Sequence, residues 1–170
     1  MHLAREKLAN PSLQRAPRNL PLFSEIVRRK RSCGTVTSAF IAREANVQDV
    51  EAADRLAAAQ GFALLGPRWR RIDLAAARRI IERILERDLA YDTAVMPADD
   101  AASLAEQWLG LTSESRAFFT NGTWSEGPVQ TAPRATAGPS WDPITDSTFD
   151  AGVVAVDQDR AVILWVQDED

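Results

Sequence analysis

The sequence predicts an α+β protein, with helices in front and a small antiparallel sheet at the C-terminal end. Three observations carry that expectation. Apolar residues recur at helical spacing in several segments before residue 110. Two apolar runs flank Asp157-Gln158-Asp159-Arg160 near the end, the pattern of a strand pair closed by a turn. Hydrophobic content is 45% and charged content 26%, ordinary for a folded globular chain of 170 residues, long enough for one domain or two small ones.

Residues 1–19 are polar and basic, with Pro11 and Pro17, and read as a flexible basic arm. Residues 20–32 read as a helix with Leu22, Phe23, Ile26 and Val27 inward. Arg28 to Arg31 lie at its C-terminal end, where cations complement the helix dipole, and Gly34 stops it. In TVTSAFIAREANV, Thr37 or Ser38 can cap a short helix with Phe40, Ile41 and Ala45 on one face, and Asn46-Val47 makes a turn. A longer helix follows, with Val50, Ala53, Leu56 and Ala57 at helical spacing and Gly61 at its end. Then FALLGPRWRRIDL reads as two short strands around Gly66-Pro67.

Asp73 caps the next helix, whose buried stripe is Ala77, Ile80, Ile81, Ile84 and Leu85. Pro97 starts another, with Asp99 and Asp100 in its first turn and Leu104, Ala105, Trp108 and Leu109 inward. AFFTNG reads as a strand. Residues 121–148 form a long Gly/Pro/Ser/Thr-rich loop carrying Trp124 and Trp141, either tucked onto the sheet or offered to a partner. In GVVAVDQDRAVILWV the run AVILWV is continuous, so it is expected to be a strand buried on both faces. The expected division is an arm over 1–19, a helical domain over 20–90, and an acidic α+β domain over 91–170.

Charge is split by position. Residues 1–87 hold 17 Lys+Arg against 9 Asp+Glu; residues 88–170 hold 3 against 15. A basic half attracts nucleic acid, and an acidic half attracts a basic protein surface or a metal. Lys7 and Lys30 are the only lysines, a bias typical of a high-GC bacterial genome or its mobile elements. The single histidine, His2, leaves no credible base for a Ser-His-Asp or Cys-His site, and Cys/His zinc sites lack ligands. No Gly-rich phosphate loop is present. One cysteine, Cys33, no membrane-length apolar run and no secretory core point to the cytoplasm, without membrane association.

Residues 20–74 resemble a winged helix-turn-helix. The residues carrying this are FIAREANV, then DVEAADRLAAAQGF, then the wing ALLGPRWRRID. The resemblance implies a motif helix beginning at Gln48, Asp49, Glu51 and Ala52 in the major groove. Carboxylates facing phosphates cost affinity rather than supply it, and an acidic helix there fits a protein-binding or dimerising module. The nucleic-acid candidates are Arg68, Trp69, Arg70 and Arg71 of the wing, with Arg28, Arg29, Lys30 and Arg31 as a second patch.

In the acidic half, the partner-binding candidates are Trp124, Trp141, Asp142, Asp146, Asp150, Asp157, Asp159, Asp168, Glu169 and Asp170. A magnesium-dependent nuclease would also need a Lys or His beside the attacked phosphate, and this half has neither. The expectation is a non-catalytic regulator or inhibitor without metal or cofactor. Its acidic half would bind a basic protein, such as a toxin or a nucleic-acid-binding protein, as antitoxins and immunity proteins do. Its front half would bind DNA or form a homodimer. The alternatives are a winged-helix transcription regulator and a DNA-mimicking inhibitor of a defence system.

Overall fold

The computed structural model describes residues 19–125 and 138–170. The architecture is α+β. The helices are α1 (Leu20–Lys30), α2 (Asp49–Ala59), α3 (Leu74–Glu86) and α4 (Ala98–Leu109). The strands are β1 (Thr35–Ala42), β2 (Arg70–Ile72), β3 (Ala117–Thr120), β4 (Phe149–Val156) and β5 (Arg160–Asp168). The strands form one antiparallel sheet in the order β1-β5-β4-β3-β2.

Several elements follow directly from local chemistry. Asp73 caps α3, its Oδ1 accepting from the Ala76 N–H at 2.7 Å, and the stripe Ala77, Ile80, Ile81, Ile84 and Leu85 is fully buried. Asp99 and Asp100 lie in the first turn of α4, while Leu104, Ala105, Trp108 and Leu109 face the core. The β4–β5 hairpin turns at Asp157 to Arg160. Ala161 through Val166 are buried without interruption, because helices cover both faces of the sheet.

Two cores result. On one face α1, α3 and α4 pack through Phe23, Val27, Ile80, Ile84 and Trp108 onto Phe118, Val153, Ala155, Val162 and Leu164. On the other, α2 packs through Ala53, Leu56 and Ala57 onto Val154, Val156, Ile163 and Trp165. Gly152 of β4 makes room for this second layer: a Cβ there would overlap the Trp165 ring and the Leu164 carbonyl.

Three expectations are corrected. The short helix expected from Thr37 or Ser38 is strand β1. Val36 and Phe40 pack toward one core and Ala39 and Ile41 toward the other, so both faces of TVTSAFIA need apolar residues. The two-stranded wing is also absent. Residues Gly66–Arg68 form a 3-10 turn, and Arg70–Ile72 pairs with β3 rather than with the segment before it. Residues 20–74 therefore run helix, strand, helix, 3-10 turn, strand. Finally, β1 and β2 lie in the same sheet as β3, β4 and β5, so a boundary at residue 90 does not separate two folding units. The arm over 1–19 lies outside the described residues except for Asn19.

Candidate partner-binding surface

The basic and acidic halves meet inside the molecule. Among the described residues six ion pairs join them: Lys30–Asp100, Arg31–Asp168, Arg68–Asp142, Arg78–Glu106, Arg83–Asp92 and Arg87–Asp92. The charge asymmetry of the sequence is thus in part an internal complementarity.

Arg31–Asp168 is the deepest of these. Each side chain is 1% exposed. Arg31 Nη1 and Nη2 donate to the two carboxylate oxygens at 2.9 and 2.7 Å, and Arg31 Nε donates to the Ile84 carbonyl at 3.0 Å. The Leu89 N–H also donates to Asp168, at 2.9 Å. Bidentate geometry with these extra partners is what makes a buried pair tolerable. Arg31 therefore offers no phosphate contact, and Asp168 no partner contact.

Trp69 is buried too. Its Nε1 donates to Asp54 at 2.8 Å, and its ring meets Trp165 edge-on with centroids 6.0 Å apart. It is a packing residue, not a stacking platform for bases. Asp54 also accepts from the N–H groups of Leu65 and Gly66, tying the 3-10 turn to α2. Nothing in the sequence marks Asp54, because its partners lie eleven or more residues away.

Arg68 is exposed and pairs with Asp142 at 3.3 Å. Arg29 pairs with Glu25 and Lys30 with Asp100. Arg28, Arg70 and Arg71 are exposed and have no ion pair among the described residues. They do not form one patch. Arg28 flanks β1 at one edge of the sheet and Arg70 and Arg71 lie on β2 at the other, four strand spacings or roughly 19 Å apart.

Two more carboxylates prove structural. Asp150 is fully buried in β4. It accepts from Asn121 Nδ2 at 2.8 Å and from the N–H groups of Ile144 and Thr145 at 2.8 and 2.7 Å. Burial raises its pKa, against the opposing pull of those hydrogen bonds. Asp157 closes the hairpin, accepting from the N–H groups of Ser113, Asp159 and Arg160. Burial alone would raise its pKa, but these donors and the Arg160 charge outweigh burial and lower it.

The two loop tryptophans tuck in. Trp124 is buried, donating from Nε1 to Asn121 Oδ1 at 3.0 Å. Its ring lies 5.0 Å from that of Trp141, which stacks on Phe149 at 5.6 Å. Gly122 permits this close approach, since a Cβ there would strike the Trp141 backbone. Trp141 keeps a partly exposed edge. Residues 126–137 of the expected loop lie outside the described residues.

Four acidic candidates stay at the surface: Asp146, Asp159, Glu169 and Asp170. Three converge on one end of the β4–β5 pair. Glu169 and Asp170 follow β5, and Asp146 lies in the segment that leads into β4. The Thr148 hydroxyl bridges Glu169 at 2.8 Å and Asp170 at 3.4 Å, and the Thr148 N–H also donates to Glu169. The hydroxyls of Thr148 and Ser147, with that N–H, lower the Glu169 pKa. None of the three has an ion pair among the described residues. Asp159 is apart from them. It lines an open cleft of about 710 Å³ with Arg43, Asp49, Arg71, Arg116 and Asp157, where both signs of charge mix.

Cys33, Asp88 and Asp168 bring one ligand atom each within 4.8 Å of one another. That donor set does not suit a cation. Asp168 is already held by Arg31 and Leu89, Asp88 accepts from the Tyr91 N–H at 2.6 Å, and burial raises the Cys33 thiol pKa. No described helix is long and apolar enough to cross a membrane. No family model matches the chain, and neither a curated protein nor a solved structure shows significant similarity to it.

Proposed function

We propose that this chain is a non-catalytic regulator or inhibitor, of antitoxin or immunity-protein character, acting in the cytoplasm on a basic protein partner. The observation that carries the reading is the acidic end of the β4–β5 pair. Asp146, Glu169 and Asp170 are exposed and unpaired among the described residues, and the Thr148 hydroxyl orders two of them at the end of a rigid hairpin. Carboxylates fixed in this way present a steady negative field. Such a field steers a basic surface into contact and opposes acidic competitors. A partner that normally binds phosphate would see the same field, so a DNA-mimicking inhibitor is one form of this reading.

The test is a binding comparison between the native chain and Asp146→Asn/Glu169→Gln/Asp170→Asn, each immobilised against extract of the native host at low and moderate salt. The expected result is a basic protein retained by the native chain and lost from the variant. Equal retention by both would sink the proposal.

A second reading has its own observation. Arg70 and Arg71 are exposed cations on β2, unpaired among the described residues, and suited to phosphate contact. It places DNA or RNA at that edge of the sheet, without the major-groove helix that a winged helix-turn-helix would supply. Salt-sensitive DNA retention that disappears with Arg70→Ala/Arg71→Ala would favour it over the acidic-end reading.

A further inference from the structure

The two edges of the sheet are built differently. β2 is three residues long and carries Arg70 and Arg71, so it is short and charged, as protected edges are. β1 is eight residues long, TVTSAFIA, with no charge, proline or bulge along its register with β5. At about 3.4 Å per residue it offers roughly 27 Å of strand. On its free side no other strand pairs with it among the described residues.

Which backbone groups face that side follows from the ladder. The Arg43 N–H donates to the Asp159 carbonyl at 2.8 Å, one step beyond the Ala42–Arg160 pair. Antiparallel pairs alternate between bonded and non-bonded. The odd-numbered residues of β1 therefore bond to β5, and the N–H and C=O groups of Val36, Ser38, Phe40 and Ala42 point outward.

We propose that the free edge of β1 joins two copies of this chain, antiparallel about a two-fold axis at Ser38, so that one sheet runs through both. A two-fold perpendicular to the sheet keeps each side chain on its own face, which requires pairing of even with even and odd with odd. Centred on Ser38, the register sets Ser38 opposite Ser38 and Val36 opposite Phe40. These are the residues whose backbone groups point outward, so each pair exchanges both hydrogen bonds. On the other face Thr35 meets Ile41 and Thr37 meets Ala39, β-branched or small residues that suit a sheet surface.

One further observation selects a second copy over an unrelated strand. Ser38 Oγ is buried and has no hydrogen-bond partner among the described residues. At the two-fold axis it lies beside its own counterpart, a hydroxyl that both donates and accepts.

This inference is independent of the acidic-end reading, and its test does not use the partner. Sedimentation of the full chain over a wide concentration range should show a monomer–dimer equilibrium. In a Cys33→Ser background, Ser38→Cys should cross-link under mild oxidation. Its paired Cα atoms would lie about 5.5 Å apart, within the usual disulfide span of roughly 4.4–6.8 Å. Ala39→Cys should not cross-link. A chain that stays monomeric throughout, or cross-linking through Ala39 in preference to Ser38, overturns the proposal. The native chain gives the oligomeric result even where a variant fails to fold.

Discussion

Six carboxylates of the acidic half form two sets that do opposite work. Asp150, Asp157 and Asp168 are buried, and each accepts from three or more donors of its own chain. Asp146, Glu169 and Asp170 are exposed and form no ion pair among the described residues. All six add equally to the negative charge of this half, but only the second set contributes to the surface field. The difference teaches that a charge count along a chain overstates what the protein presents. An acidic segment can be acidic because its turns and strand ends need acceptors. Glu169 and Asp168 are adjacent in sequence yet belong to different sets, because Asp168 is the last residue of β5 and is held by Arg31, while Glu169 lies past the end of the strand.

Mutation should separate the sets, and the largest effect belongs to the buried ion pair. Asp168→Ala leaves the Arg31 guanidinium buried without its carboxylate. Unfolding by urea should show a loss of about 3–5 kcal/mol. Arg31→Met with Asp168→Leu removes both charges and should recover much of that loss. If the double variant were no better than the single one, the pair's packing rather than its charge would be the important quantity.

Asp157→Ala comes next. It leaves three N–H donors of the hairpin without an acceptor and should cost about 2–3 kcal/mol, read as a lower urea midpoint at unchanged slope. Acid titration then divides the buried set further. The lowered pKa of Asp157 means its contribution is present above the ordinary carboxylate range and is lost as pH falls through its folded value. Asp150 has the opposite sign. Its raised pKa means that the ionised form is disfavoured in the fold, and stability is regained as pH falls through its folded value. Urea midpoints followed from neutral to acid pH should therefore lose part of their acid decline in Asp157→Asn, and decline more steeply in Asp150→Asn. Parallel curves for the two variants would refute the distinction.

The exposed set should give the smallest effect on folding. Asp146→Asn/Glu169→Gln/Asp170→Asn is expected to change stability by less than about 0.5 kcal/mol while removing partner binding. A stability loss as large as that of Asp157→Ala would merge the two sets.

The parts of the fold set by local chemistry were legible in the sequence. Asp73 signalled the start of α3 through a cap that needs only its own helix, and the runs around Asp157–Arg160 signalled the β4–β5 hairpin through a turn of nearby residues. β1 was not legible. Its residues pack into two cores at once, so it lacks the alternation of a half-buried strand, and Thr37 and Ser38 imitate a helix cap. Among the described residues only β5, more than a hundred residues later, pairs with it as a strand. β1 also overlaps FIAREANV, one of the segments that carry the helix-turn-helix resemblance. The same logic governs the surface. Asp142, Asp146 and Asp150 stand together in the sequence as partner-binding candidates, but their separate fates are not visible there. Asp142 meets Arg68, Asp146 faces solvent and Asp150 is enclosed by Asn121 and the 144–145 backbone.

The place of β5 in the sheet has a consequence for the order of events as the chain is made. β5 is the last of the described elements in the chain, yet it lies between β1 and β4 and gives β1 its only strand neighbour among them. Arg31 and Asp168, which bond across that seam, are 137 residues apart. During synthesis β1 emerges early and must wait for nearly the whole fold to follow before its ladder can close. Until then both of its edges are open, and Arg31 has no carboxylate to receive it. A nascent chain in this state exposes an uncharged strand to its neighbours on the same messenger RNA. The interval before β5 appears is therefore when this protein is most exposed to mispairing.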